Sequence, residues 1–169
     1  MPGITLGELL KSRDERAALQ RRLLAAHPGC SLVCLTVQFP GAEKRTADAL
    51  QVGGAGLAAL VNRFGSILRH VQVRDLPTGY EAYLLVPLPP RMAKVQSCEI
   101  EKSHPLGRLM DIDVIGQDGV PVQRQEVGEE PRRCLLCDRE VRLCMRNHTH
   151  SREELLQKIH RMVQAYANL

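Results

Sequence analysis

Apolar positions change period several times along the chain, and each change marks an element. Thr5-Leu6-Gly7-Glu8 has the spacing of a capping box. A helix is therefore predicted over residues 6 to about 26, where His27-Pro28-Gly29 stops it. Helical periodicity sets Leu6, Leu10, Ala17 and Leu24 on one stripe, with Arg13 in its middle and Arg16 on its edge. A charge on such a stripe has a buried partner or opens into a pocket; otherwise its stem packs and its head reaches water. Residues 31–39, SLVCLTVQF, read as a buried strand that Pro40-Gly41 ends. Residues 46–64 read as a helix despite Gly53, Gly54 and Gly56, which predict a close backbone approach or an interruption near Gly53. Two strands follow, 66–73 and 80–87, joined by a turn around Leu76-Pro77-Thr78-Gly79. Pro89-Pro90 opens a helix over residues 91–102, although Glu99-Ile100-Glu101 alternates equally well as a strand. Residues 109–115 form a strand, Gln117-Asp118-Gly119 a turn, and 120–123 a short edge strand confined there by Pro121.

The order from residue 31 to 115 is thus β-α-β-β-α-β. It predicts an α+β fold of one domain: a ferredoxin-like antiparallel sheet with helices on one face and the N-terminal helix packed against it. Residues 1–130 make this core, and 131–169 a Cys/Arg/His-rich helical segment with a terminal helix. That last helix starts at a second capping box, Ser151-Arg152-Glu153-Glu154, and sets Leu155, Ile159, Met162, Val163 and Tyr166 on one side.

One strand carries an anomaly. In LMDIDVI, Asp111 and Asp113 share a face, while Ile112 and Val114 point the other way into the core. Two carboxylates held close repel, which raises one pKa. A divalent cation removes that cost, and Mg²⁺ characteristically takes one or two carboxylates plus substrate phosphates. The pair is predicted to be a Mg²⁺–phosphate platform for phosphoryl or nucleotidyl transfer; the plainer reading is a strand with one solvated face. The flanks favour the platform. Gly107 lets a ligand approach the backbone, Arg108 offers a fork for phosphate, and His104 lies at a Pro-containing turn just upstream. Lys44, in the loop after the first strand, is a weaker phosphate-binding candidate, since loop lysines are ordinarily solvated.

A second constellation is CLLCDREVRLCMRNHTH. Cys134 and Cys137 have zinc-knuckle spacing, Cys144 follows, and His148 or His150 supplies a fourth ligand for a structural Zn²⁺. The alternative is reduced cysteines packed with Leu135, Leu136 and Leu143. Arg132, Arg133, Arg139, Arg142 and Arg146 make the segment cationic, suited to a phosphate tail or an acidic partner.

Composition narrows the classes. The 169 residues are 44% apolar with a net charge of +4 and no Lys/Arg tract. That is too mild for duplex binding, and the sparse aromatics (Phe39, Phe64, Tyr80, Tyr83, Tyr166) make no RNA-stacking platform, so no nucleic-acid partner is expected. No apolar run is long enough for a membrane span or an export signal, so a cytoplasmic protein is expected, with its six cysteines reduced.

Four segments in order, LLKSRDERAALQ, LVCLTVQFPGAEK, HPLGRLMDIDVI and PRRCLLC…C…TH, closely resemble the apo-citrate lyase phosphoribosyl-dephospho-CoA transferases, also called holo-citrate lyase acyl-carrier-protein synthases. The resemblance implies transfer of the phosphoribosyl-dephospho-CoA moiety of 2′-(5″-triphosphoribosyl)-3′-dephospho-CoA to a serine of the citrate lyase acyl carrier protein, the gamma subunit. Pyrophosphate leaves and a phosphodiester forms. On this expectation Asp111 and Asp113 hold Mg²⁺, and Arg108 stabilises phosphate charge. His104 accepts the serine proton or caps its turn. Arg13 and Arg16 face the phosphates, as do Lys44, Gly107, Arg132 and Arg133 in supporting places. Cys134, Cys137, Cys144 and His150 are the Zn²⁺ ligands. Glu99 and Glu101 qualify as a third carboxylate only if their segment faces the sheet. The rival expectations are a nucleotidyltransferase acting on another triphosphate and acceptor, and a non-catalytic zinc-containing adaptor.

Overall fold

In the computed structural model, which describes residues 4–169, the first capping box closes as its spacing requires. The Glu8 N–H donates to the Thr5 hydroxyl at 3.3 Å, and the Thr5 N–H donates to the Glu8 carboxylate at 2.8 Å. This starts α1, Leu6–Ala26. There follow β1 (Ser31–Val37), α2 (Ala47–Phe64), β2 (His70–Leu76), β3 (Gly79–Val86), α3 (Pro90–Ser103), β4 (Met110–Ile115), α4 (Val141–Arg146) and α5 (Arg152–Ala167). The Ser151–Glu154 box opens α5 as the spacing predicts. Among the described residues no helix is long and apolar enough to cross a membrane.

The chain is α+β. Four antiparallel strands lie in the order β2-β3-β1-β4, with Val33 opposite both Leu84 and Val114. Their alternation gives the sheet two different faces. Val33, Leu35, Ala82, Leu84, Ile112 and Val114 point to the side covered by α2, α3 and α5. Leu32, Cys34, Tyr83 and Leu85 point to the other, where Leu19, Leu23 and Leu24 of α1 cover them. Each large side chain fully buried in these layers contributes roughly 1.5–3 kcal/mol.

The glycines of α2 settle the choice left open above. The helix is continuous, and the missing side chains let it press on the sheet. A Cβ on Gly53 would collide with the Tyr80 ring, and one on Gly56 would come within 2.9 Å of Leu35. The Glu99–Glu101 stretch is helical, within α3.

Other expectations are corrected. Only the C-terminal end of the predicted α1 stripe is buried: Leu24 is buried and Ala17 half-buried, but Leu6 is 72% exposed and Leu10 50%, and Ser12, Leu19 and Leu23 are buried in their place. The apolar layer of the sheet meets only the C-terminal half of α1, so the N-terminal leucines find nothing apolar to cover them. β2 begins at His70 rather than residue 66, because a 3₁₀ turn at Gly65–Ile67 carries the chain out of α2. Residues 120–123 form one bridge, Ile115 to Pro121, and not a strand. The Cys-rich segment is mostly irregular, with only α4 helical, because close turns between its cysteines replace helical pairing.

Candidate active site

β4 is an edge strand, and the alternation along it holds: Met110, Ile112 and Val114 are buried, Asp111 is half-buried and Asp113 exposed. The two aspartates lie opposite Thr36 and Cys34 of β1. They open into a cleft of about 190 Å³ whose charged lining includes Lys94, Arg124, Arg132 and Arg142. Asp111 accepts a hydrogen bond from Gln38 Nε2 at 2.8 Å and lies 3.3 Å from Arg132. Asp113 is 57% exposed, with Lys94 Nζ 4.0 Å away. Partial desolvation by the cleft walls, then the charge of Asp111, hold the Asp113 carboxyl above its ordinary pKa; Lys94, Arg132 and Arg16 pull the other way. The like-charge effect expected from the spacing is thus one of the causes, second to desolvation.

Two buried charges of α3 build the cleft wall. Lys94, 4% exposed, donates to the Ile112 carbonyl at 2.8 Å. Glu101, 5% exposed, accepts the Ile112 N–H at 2.9 Å and pairs with both Arg124 and Arg132. Glu101 is thus an anchor for arginines and not a third metal carboxylate, while Glu99 pairs with Arg63 at 2.6 Å on the surface. Sequence reasoning missed Lys94 and Arg124, and it offered Glu101 only as a third carboxylate, not as an anchor for arginines. The available signal was that Lys94 and Glu101 sit on the same stripe of α3 as Ala93, Cys98 and Ile100.

Further along the same sheet face, in register with Thr36, lies Glu81. It is 2% exposed and takes Arg16 Nε at 2.9 Å, Arg16 Nη2 at 2.7 Å and the Tyr83 hydroxyl at 2.5 Å. Arg74 approaches it at 3.6 Å. Burial and this carboxylate push the Tyr83 phenol far above its ordinary range, so it stays a donor. Burial likewise pushes the Cys34 thiol up to about 12, which makes it unreactive at neutral pH. Arg16, the edge arginine of the predicted stripe, is the α1 arginine turned inward. Arg13 is exposed and lines only a shallow groove with Leu6, Leu10 and Thr78.

Several predicted residues have structural partners elsewhere. His104 Nδ1 accepts the Leu106 N–H at 3.0 Å, so it caps its turn, and its ring lies 5.2 Å from that of Tyr166. Arg108 Nη2 donates to the carbonyls of Arg133 and Cys134 at 2.7 and 3.1 Å. Neither His104 nor Arg108 lines the aspartate cleft. A Cβ on Gly107 would collide with the Glu101 carbonyl in the last turn of α3, and Gly107 lines a separate cavity with Arg108, Arg132 and Arg133. Lys44 Nζ donates to the Phe39 carbonyl at 2.5 Å and thereby closes the loop after β1. Arg133 is exposed and reaches Asp138 and Glu130. Of the six supporting residues, Arg132 alone lines the cleft.

The cysteine motif does assemble. One ligand atom each of Cys134, Cys137, Cys144 and His150 lies within 4.8 Å of the others. His150 Nε2 is 3.3 Å from Cys137 Sγ, which is 3.5 Å from Cys144 Sγ. The Leu136 N–H points at Cys134 Sγ at 3.5 Å, and the Cys134 N–H donates to the Arg139 carbonyl at 2.7 Å. All six cysteines are free thiols. His148, at φ 45°, is exposed and outside the cluster, which resolves the fourth ligand in favour of His150. Packing against leucines does not explain an imidazole among three sulfurs; N/S donors in a closed group of four fit a structural metal ion.

Comparison with known proteins identifies the family. The family model for apo-citrate lyase phosphoribosyl-dephospho-CoA transferase (CitX) matches residues 4–166. A probable apo-citrate lyase phosphoribosyl-dephospho-CoA transferase of Streptococcus pyogenes serotype M3 is 36% identical, over 98% of this chain and 88% of the relative. The Escherichia coli O1:K1 apo-citrate lyase phosphoribosyl-dephospho-CoA transferase is 37% identical, over 92% of this chain and 86% of the relative. The Haemophilus influenzae protein CitXG is 35% identical over 95% of this chain, which matches 35% of that longer protein. Both the whole-chain family match and these identities lead to one statement: the chain belongs to the apo-citrate lyase phosphoribosyl-dephospho-CoA transferase family, a family of transferase enzymes.

Proposed function

We propose that this chain transfers the phosphoribosyl-dephospho-CoA group of 2′-(5″-triphosphoribosyl)-3′-dephospho-CoA to a serine hydroxyl of the citrate lyase acyl carrier protein, in the cytoplasm. Family membership supports the donor and acceptor. The observation that carries the choice of site is the grouping of Asp111 and Asp113 with Lys94, Arg124 and Arg132 around one cleft. The serine oxygen forms a bond to the donor's α-phosphorus. The bond from that phosphorus to the pyrophosphate oxygen breaks, the electron pair leaves with pyrophosphate, and the serine proton passes to water.

Asp111 and Asp113 fit Mg²⁺, because they offer hard oxygen ligands on one face of a strand and repel each other without it. Bound there, Mg²⁺ supplies charge neutralisation to the donor's phosphate oxygens. Lys94 and Arg132 flank the carboxylates and are placed to take up charge on pyrophosphate as it departs. Glu101 keeps Arg124 and Arg132 extended into the cleft, so they need no reorganisation at the moment of transfer. Arg16 adds positive potential from α1. The Cys134, Cys137, Cys144 and His150 cluster is read as a structural Zn²⁺ site. The strand order, with α2 and α3 on one face, is read as a ferredoxin-like core.

The deciding experiment is intact-mass measurement of the apo carrier protein after incubation with this protein, Mg²⁺ and the triphosphoribosyl donor. The expected result is one added phosphoribosyl-dephospho-CoA group on the serine. An unmodified carrier with the S. pyogenes relative active in parallel would refute the assignment.

A further inference from the structure

Two cleft arginines stand in the same place relative to two metal ligands. Arg132 lies two residues before Cys134, and Arg142 two residues before Cys144. Both arginines line the aspartate cleft, while both cysteines face the cluster. Between them the chain folds back on itself. The Val141 N–H donates to the Arg132 carbonyl at 2.9 Å, the Cys134 N–H donates to the Arg139 carbonyl at 2.7 Å, and Arg133 bridges to Glu140. Outside the cluster, this strap is held by Arg132 on Asp111 and Glu101, by Arg108 on the carbonyls of Arg133 and Cys134, and by Leu135 packed against the core. α4 is only Val141–Arg146, too short to be stable by itself.

We propose that a Zn²⁺ ion bound by Cys134, Cys137, Cys144 and His150 locks this strap, and that the locked strap presents Arg132 and Arg142 to the polyphosphate of the donor. The ion joins the knuckle to α4 and to the start of α5, so it fixes the spacing between the two arginines without touching the donor. Without it, only weak hydrogen bonds to sulfur at 3.3–3.5 Å join these groups, and any deprotonated sulfurs repel. Arg132 then leaves Asp111 and Glu101, and one wall of the cleft is lost. The idea rests on the cleft being the donor site, and its test separates the two.

Protein purified without chelator is analysed for metal, then stripped with a zinc-selective chelator, dialysed and returned to Mg²⁺. Binding of inorganic tripolyphosphate is measured before stripping, after it, and after addition of one equivalent of Zn²⁺. Backbone hydrogen exchange and circular dichroism are followed alongside. The expected outcome is one zinc per chain. Stripping weakens tripolyphosphate binding by about tenfold or more, and added Zn²⁺ restores it. Exchange speeds up over residues 131–146 while the sheet stays protected. In the double variant Arg132→Ala, Arg142→Ala, binding is already weak and stripping changes it little. Absence of zinc, with none taken up on addition, overturns the metal centre. Zinc present but tripolyphosphate binding unchanged on stripping overturns the coupling. Loss of the sheet's circular dichroism on stripping also overturns it, because the ion then stabilises the whole chain rather than the strap. A zinc-loaded protein that binds no tripolyphosphate at all overturns the donor site itself, and the coupling with it.

Discussion

The two faces of the sheet are made by the same strands but obey different rules. On the face under α2, α3 and α5 nearly every position is apolar and buried. On the other, α1 covers Leu32, Cys34, Tyr83 and Leu85, and beyond its apolar contacts the same face runs through Glu81 and Thr36 to Asp111. One residue of alternation separates Ile112, in the core, from two carboxylates at the mouth of a cleft. The comparison teaches that the fold is stabilised on one side and left free to carry chemistry on the other. The polar face is held together by paired charges, which cost stability when one partner is removed.

This contrast can be broken or sharpened at four places. The largest effect is expected from Glu81→Ala, which strands Arg16 and deprives Tyr83 of its acceptor; it should cost about 3–5 kcal/mol in denaturant unfolding. A loss near zero would mean the buried network is dispensable. Asp113→Asn comes next. Transfer to the carrier should fall by about a hundredfold or more, while thermal unfolding stays the same or rises. The sign follows from the raised pKa: the folded state disfavours the carboxylate, so at neutral pH the charge destabilises the fold, and its removal relieves that. Wild-type turnover in this variant would take Asp113 out of the site. On the core face, Gly53→Ala should lose about 1–3 kcal/mol, since α2 must move off the Tyr80 ring; an unchanged melting temperature would show that the helix has slack. The smallest effect is expected from Leu10→Ala, within about 0.5 kcal/mol, because that leucine is already in water. A large loss there would mean that α1 is covered in solution.

What could be read from the chain follows the range of the interactions. Both capping boxes, the α2 start at Thr46, the Pro89-Pro90 opening of α3 and the alternation of β4 are local, and each appears where the spacing puts it. The cysteine cluster was also legible, since ligand spacing is a local constraint, but the choice between His148 and His150 depended on how the turn after α4 closes. Illegible were the pairings that join distant segments. Which side of α1 is buried depends on where it crosses the sheet, and that put Arg16 on Glu81 where periodicity favoured Arg13. Lys94 and Glu101 find their partners on β4 and in the 124–132 stretch, so nothing near Lys94 in sequence announces a site, and Glu101 could be read only as a possible carboxylate ligand. His104 and Arg108 differ from the aspartates although they are near them in sequence: His104 caps its turn, and Arg108 reaches the carbonyls of Arg133 and Cys134.

Pro121, placed against Ile115 at the outer margin of β4, has a consequence for how molecules of this protein meet. A strand from another copy could grow onto that margin only by finding a row of free amide donors, and the pyrrolidine ring supplies none there. Edge-to-edge strand pairing between copies is thereby discouraged where Pro121 meets β4.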